Sequence, residues 1–186
     1  MSNVVVMMSV SVDGFMEGPG ADIGWHRVDE ELHQHFNDVL AGMSAFLGGR
    51  VTYELMAAYW PTADQDPAST PAEAEFARIW RDMPQVVYSR TLSPESIGPN
   101  ATLVREVVPA EVEALTARGD VALGGAVLAA SFMEQGLVDE FRLYVQPVVL
   151  GAGRPLFPLG FQLDLRLVES RVFEGTGVVL LRYVRA

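Results

Sequence analysis

The stretch VALGGAVLAASFMEQG, residues 121–136, decides how the chain is read. A short apolar run meets two glycines, and helix-forming residues follow at once. Glycine in an element junction costs backbone entropy, so Gly124 and Gly125 answer a local need. One such need is close approach of a ligand to bare backbone at a helix N-terminus. The pattern predicts a strand over 120–123 and a helix over 126–135, closed by Gly136. FLGGRVTYEL, residues 46–55, repeats the order strand, Gly-Gly, helix. Two such junctions in one open sheet place two helix N-termini near the carboxyl ends of strands, where ligands of α/β sheets bind. Free N–H groups and a partial positive charge suit those N-termini to phosphate.

Outward from these junctions, strands alternate with helices. Residues 3–10 read as a buried strand, 13–24 as a glycine-rich loop and 29–43 as a helix with Leu32, Phe36, Val39, Leu40 and Met43 on one face. A strand over 44–49 and a helix over 51–60, stopped by Pro61, come next, with a loop over 62–69. The helix over 70–83 has Thr70 as cap, Pro71 in the first turn and Glu73 completing a capping box. Strands over 85–89 and 101–106 and a short helix over 109–118 follow. Beyond residue 137 the pattern changes to strands over 138–150, 161–173 and 178–184, the last two forming a hairpin. The expected architecture is α/β: a mixed, mostly parallel central sheet flanked by helices, with antiparallel C-terminal strands. No repeat or linker divides the chain, so residues 1–186 are expected to form one domain.

Composition excludes several chemistries. The 186 residues carry a formal net charge of −11, which argues against a nucleic-acid binder. No apolar run is long enough to span a bilayer, and no basic region precedes the N-terminal apolar run. The expectation is a soluble cytoplasmic protein with no membrane partner. Cysteine is absent, which removes disulfides, thiol nucleophiles and cysteine metal sites. Lysine is absent too: all 13 basic residues are arginine, which removes a Schiff-base lysine and a P-loop. His26, His33 and His35 read as solvated histidines on a polar surface; no metal site is expected.

Three strand ends carry the candidate chemistry. Arg50 and Thr52 follow Gly49 at one; Ser89 and Arg90 end another; Gly124, Gly125, Ala126 and Val127 make the third. Two arginines and two hydroxyls there could hold a pyrophosphate and an additional monophosphate. Each motif alone has a plainer reading, with glycines for tight turns, Thr52 as a cap and arginines facing solvent.

The succession SVSVDGFMEG, FLGGRVTYE, VVYSRTL and VALGGAVLAASFMEQGLVDEFRLYVQPVVLGAGRPLF resembles the dihydrofolate reductase superfamily. Its nearest likeness is the reductase domain of the bacterial riboflavin-biosynthesis deaminase-reductase, over nearly the whole chain and without the deaminase half. The resemblance implies an NADPH-binding fold acting on a small molecule. It implies that Gly49, Arg50 and Thr52 contact cofactor phosphates, and that Ser89 and Arg90 lie near the adenosine and its 2′-phosphate. Gly124, Gly125, Ala126 and Val127 would cradle the pyrophosphate, and Asp13 and Gly14 would start the loop that covers the nicotinamide. On the substrate side Asp29 is the candidate acid; it lies on the inward stripe of its helix and equally suits a helix N-cap. Trp25 resembles the tryptophan before that helix in folate reductases, with a longer spacing to the later GGR. Arg154 either meets an anionic substrate or sits on the surface after a turn. The expected activity is hydride transfer from NADPH to a pterin- or aminopyrimidine-like heterocycle, with a non-catalytic NADP-binding module as the alternative. A homodimer through the C-terminal strands is expected from the riboflavin-pathway likeness.

Overall fold

The computed structural model describes residues 2–186. In chain order its elements are β1 (Val4–Ser11), β2 (Phe15–Glu17), α1 (Glu30–Ala41), β3 (Ala45–Gly49), α2 (Arg50–Ala57), α3 (Pro71–Asp82), β4 (Gln85–Tyr88), β5 (Ala101–Val104), α4 (Pro109–Thr116), β6 (Val121–Gly124), α5 (Ala126–Glu134), β7 (Glu140–Gln146), β8 (Arg154–Pro155), β9 (Leu165–Phe173) and β10 (Val178–Arg185). Eight strands form one sheet in the order β5-β4-β3-β6-β1-β7-β10-β9. From β5 to β7 all neighbours are parallel. β10 then pairs antiparallel with both β7 and β9. The expected mixed sheet with an antiparallel C-terminal side is the one observed.

Short, wholly apolar strands make the centre of this sheet because both of its faces are covered. On one face Val4, Val6, Leu47, Val121 and Leu123 pack with Val112 of α4 and with Leu128, Ala129 and Phe132 of α5. On the other, Val87 and Ala122 meet Leu40 of α1, Tyr53 of α2, and Phe76 and Trp80 of α3. The antiparallel side has its own core of Leu32, Tyr144, Phe173, Val178 and Leu180. No helix among the described residues is long and apolar enough to cross a membrane.

Helix starts follow local chemistry. Thr70 Oγ1 accepts from the Glu73 amide at 3.2 Å, and the Glu73 carboxylate accepts from the Thr70 amide at 2.8 Å, which closes the capping box read from TPAE. Asp29 caps α1 by accepting from the Leu32 amide at 2.9 Å.

Several expectations give way to the structure. The glycine-rich loop over 13–24 contains β2, which pairs with β8 in a separate two-stranded ribbon. A strand of three residues has no periodicity to read. The expected strand over 138–150 ends at Gln146, before Pro147, which has no amide to donate. The strand expected to start at 161 starts at 165. The helix expected over 51–60 stops at Ala57, and a 3-10 turn over Trp60–Gln65 enters the segment read as a loop. The histidines are not solvated on a polar surface. The His33 ring centroid lies 5.6 Å from Trp60 and 5.8 Å from Phe76. His35 lies 5.1 Å from Phe173, and its Nε2 sits 3.1 Å from the Tyr144 hydroxyl. Burial lowers the pKa of both rings, because removing water disfavours the charged form; at His35 the charges of Arg171 and Arg142 act in the same direction.

Two buried features set local stability. Gly48 of β3 lies opposite Gly124 of β6, so the two Gly-Gly pairs stand side by side. A Cβ on Gly124 would lie 2.9 Å from Phe46 Cζ, closer than side chains tolerate. Glu140, 2% exposed, accepts from Arg182 Nε at 2.8 Å and Nη2 at 2.9 Å and from Arg142 Nε at 2.6 Å. Burial pushes its carboxyl up, but the Arg182 and Arg142 hydrogen bonds outweigh it and hold the group below its ordinary value.

Gly124→Ala should therefore destabilise the fold by about 1–3 kcal/mol through overpacking. Thermal or urea unfolding should show that loss shrinking in a Phe46→Leu background, where the ring is gone. Glu140→Gln should cost about 2 kcal/mol near neutral pH by leaving two arginines without their buried partner. Because the folded pKa of Glu140 is depressed, its contribution is present above the unfolded value and fades as pH falls through the folded one. Wild-type and Glu140→Gln melting temperatures should therefore converge on acidification.

Candidate functional site

β3 and β6 are neighbours, yet their helices leave to opposite faces of the sheet: Tyr53 of α2 packs in one layer and Phe132 of α5 in the other. Such a divergence leaves a crevice at the carboxyl ends of the strands. Here it is a cleft of about 830 Å³, large enough for a dinucleotide-sized ligand. Gly49, Arg50, Val51 and Thr52 wall it from α2; Gly125, Ala126, Val127, Leu128 and Ser131 wall it from α5. Tyr88, Ser89, Arg90 and Thr91 close one end from β4. Met16 and Glu17 of β2 with Arg154 of β8 close another side.

The backbone at this cleft is left open. α1 and α3 have side-chain caps, whereas the starts of α2 and α5, at Gly49 and Gly125, have none. Their first amides, and the positive ends of their dipoles, therefore have no carboxylate or hydroxyl of their own to satisfy them. The Gly125 amide itself lies 3.2 Å from Met8 Sδ, a weak acceptor. Gly125 has φ +90°, and a Cβ there would come 2.6 Å from Thr52 Oγ1. Any side chain at Gly125 would collide with the first turn of the opposing helix and narrow the cleft between them. The two glycines of the deciding stretch thus have different reasons: Gly125 keeps the cleft open, while Gly124 stands behind it and makes room for Phe46.

Charge around the cleft is uneven. Arg50, Arg90, Arg105 and Arg154 line it, against Glu17 and Glu106. Four of 13 arginines thus meet in one crevice of a chain whose net charge is −11. Arg50 Nη1 pairs with Glu54 at 2.9 Å, and Arg154 pairs with Glu17 across the β2–β8 ribbon. Arg90 and Arg105 have no carboxylate partner among the described residues. Burial pushes the Tyr88 phenol up to about 12, so it remains a neutral hydrogen-bonding group at this end.

The structure brings Gly49, Arg50, Thr52, Ser89, Arg90, Gly125, Ala126, Val127 and Arg154 to this one cleft. Ser89 is 8% exposed, and its hydroxyl accepts from the Thr91 and Leu92 amides at 3.2 and 3.0 Å, which shapes the turn that carries Arg90. Asp13, Gly14, Gly124, Trp25 and Asp29 are not among the lining residues. Asp13 ties two loops together, accepting from the Gly151 amide at 2.7 Å and the Leu150 amide at 3.1 Å. A hydrogen bond with Ser11, together with these amides, holds its carboxyl down at about 2. Gly14 turns the chain from β1 into β2 with φ +86°. Trp25 Nε1 donates to the Asp22 carbonyl at 2.9 Å, and the indole packs edge-on against His26. Asp29 spends one carboxylate oxygen on its helix cap and faces the turn at Gly175 with the other. Arg105, Met16 and Glu17 were not singled out from the sequence. Arg105 ends a short strand with no glycine pair or hydroxyl beside it, so no local signal distinguished it.

Comparison with known proteins agrees with this architecture. Residues 2–180 match the family model of the RibD C-terminal domain. The curated uncharacterized protein YyaP of Bacillus subtilis (strain 168) is 34% identical over 184 residues, covering 97% of this chain and 93% of its own length. Among solved structures, Acinetobacter baumannii RibD aligns with all of this chain and 58% of its own, at a TM-score of 0.71 and 17% identity. A pyrimidine reductase-like protein from Corynebacterium diphtheriae aligns over 100% of this chain and 92% of its own, with a TM-score of 0.66 and 14% identity. At those identities the two structures speak for the fold alone. By its sequence match and its sheet, this chain belongs to the RibD C-terminal domain family, a reductase-type domain of the dihydrofolate reductase-like superfamily.

Proposed function

We propose that the protein is an NADPH-dependent reductase acting on a small, pterin- or aminopyrimidine-like heterocycle. The observation that carries this reading is the cleft itself: two uncapped helix starts separated by a side-chain-free Gly125, in a crevice of an acidic chain lined by four arginines. Those features fit a pyrophosphate bridge. Main-chain amides of α2 and α5 would take its oxygens, with Thr52 and Arg50 beside them. The unpaired Arg90 suits the 2′-phosphate of a phosphorylated ribose, whose dianionic charge it would offset. When bound, NADPH would supply a hydride for a C=N or C=O bond of the substrate. The chain's own part is to orient and to exclude water. The β2–β8 ribbon, braced by Asp13 and by the Glu17–Arg154 pair, would form a wall at the cleft's edge.

A second reading, a non-catalytic NADP-binding module of the same fold, draws support from Asp29. Its carboxylate is engaged as a helix cap and lies outside the cleft lining. The two readings part at chemistry. Rapid mixing of the NADPH-loaded protein with pterin and aminopyrimidinone candidates should oxidise one equivalent of bound cofactor at a rate that depends on the candidate. A panel that leaves the 340 nm absorbance unchanged would favour the module.

Arg90→Ala should weaken NADPH by about tenfold to a hundredfold, the value of one charge-assisted contact, and NADH far less. Calorimetric titration with both cofactors measures this directly. Equal loss for both would remove the 2′-phosphate role, and a wild-type protein that bound neither would remove the reductase reading.

A further inference from the structure

Arg105, at the end of β5, is the cleft arginine whose hydrogen bonds go to main chain. Its Nη1 donates to the Ser89 carbonyl at 2.9 Å and to the Leu92 carbonyl at 2.7 Å. One guanidinium nitrogen carries two N–H groups, so a single nitrogen serves both carbonyls without sharing a hydrogen. The two carbonyls bracket the turn that carries Arg90. From inside, the same turn is tied by the Ser89 hydroxyl to the Thr91 and Leu92 amides. At its root, the Ser89 amide donates to the Val104 carbonyl at 2.9 Å. Arg90 itself is exposed and makes no ion pair among the described residues. A long, free cation on a loose turn would lose much of its binding energy to ordering; on a fixed turn that cost falls.

We propose that Arg105 is a positioning residue that sets the cleft's preference for a phosphorylated ribose, by clamping the Ser89–Leu92 turn so that Arg90 faces the added phosphate. This rests on the reading of the cleft as an NADPH site. Arg105 acts through Arg90: its Nη1 is committed to the turn, and the turn aims the cation.

Four ligands titrated against the 186-residue chain test this: NADPH, NADH, adenosine 2′,5′-bisphosphate and 5′-AMP. In Arg105→Met, the dissociation constants of NADPH and the bisphosphate should rise together by about tenfold, while those of NADH and 5′-AMP stay within about twofold. Unchanged binding of the latter two also reports a folded protein. Arg105→Lys, which keeps the charge, should fall between wild type and Arg105→Met. In an Arg90→Ala background, Arg105→Met should add less than about twofold, because the turn then has no cation to aim. Uniform weakening of all four ligands, wild-type discrimination in both Arg105 variants, or full additivity with Arg90→Ala overturns the clamp. A wild-type protein that binds the bisphosphate no tighter than 5′-AMP overturns both the clamp and the phosphorylated-ribose reading. Discrimination that is present in wild type and survives in the variants overturns the clamp alone.

Discussion

Two neighbouring parallel strands, β3 and β6, send their helices to opposite sides of one sheet. Gly48 faces Gly124 across the pair, so the chains separate one residue later, at Gly49 and Gly125. No helix can cover the backbone at that point, and an open crevice is the geometric result. The crevice stays usable because Gly125 takes φ +90° and presents no side chain to Thr52. Residues from the other strand ends and from the β2–β8 ribbon are arranged around this opening.

Electrostatics then divides the cleft into unlike parts. A net charge of −11 does not make every surface negative, because ionic screening confines each charge to about 8–10 Å at physiological salt. What an anion would meet is the local set. Along α2 and the ribbon, Arg50 and Arg154 are already matched by Glu54 and Glu17. At the β4–β5 end, Arg90 and Arg105 have no matching carboxylate among the described residues. That end is polar and shaped by main-chain carbonyls, and the first turns of α2 and α5 offer amides instead of side chains. The proposed NADPH, with its bridging pyrophosphate and added phosphate at one end, would meet both parts of this division.

Much of this was legible in the residues. The capping box at Thr70 and Glu73, the apolar stripe of α1 and the change from alternation of strands and helices to consecutive strands are local patterns, and they led to the observed sheet. The Gly-Gly junctions, Arg50, Thr52, Ser89 and Arg90 marked the cleft because each motif stood at a strand end. Features that depend on distant partners were not legible. β2 and β8 are too short to show a period and exist only by pairing with each other. The half-buried histidines looked polar until Trp60, Phe76, Tyr144 and Phe173 were folded against them. Arg105 is separated from Ser89 by 16 positions, and its two carbonyl partners come from a different strand end.

The residues by themselves determined which segments become strands and helices, where glycine must interrupt them, and the absence of lysine and cysteine chemistry. Those properties are set by backbone sterics, side-chain period and composition within a few positions. Only the tertiary structure decided that Gly124 yields to Phe46 and Gly125 to Thr52, that Asp29 caps a helix outside the cleft lining, and that, among the described residues, Arg90 and Arg105 are the cleft arginines without a carboxylate partner. Each of these is a contact between residues far apart in the chain, and a contact of that kind has no energy until packing brings both members to the same place.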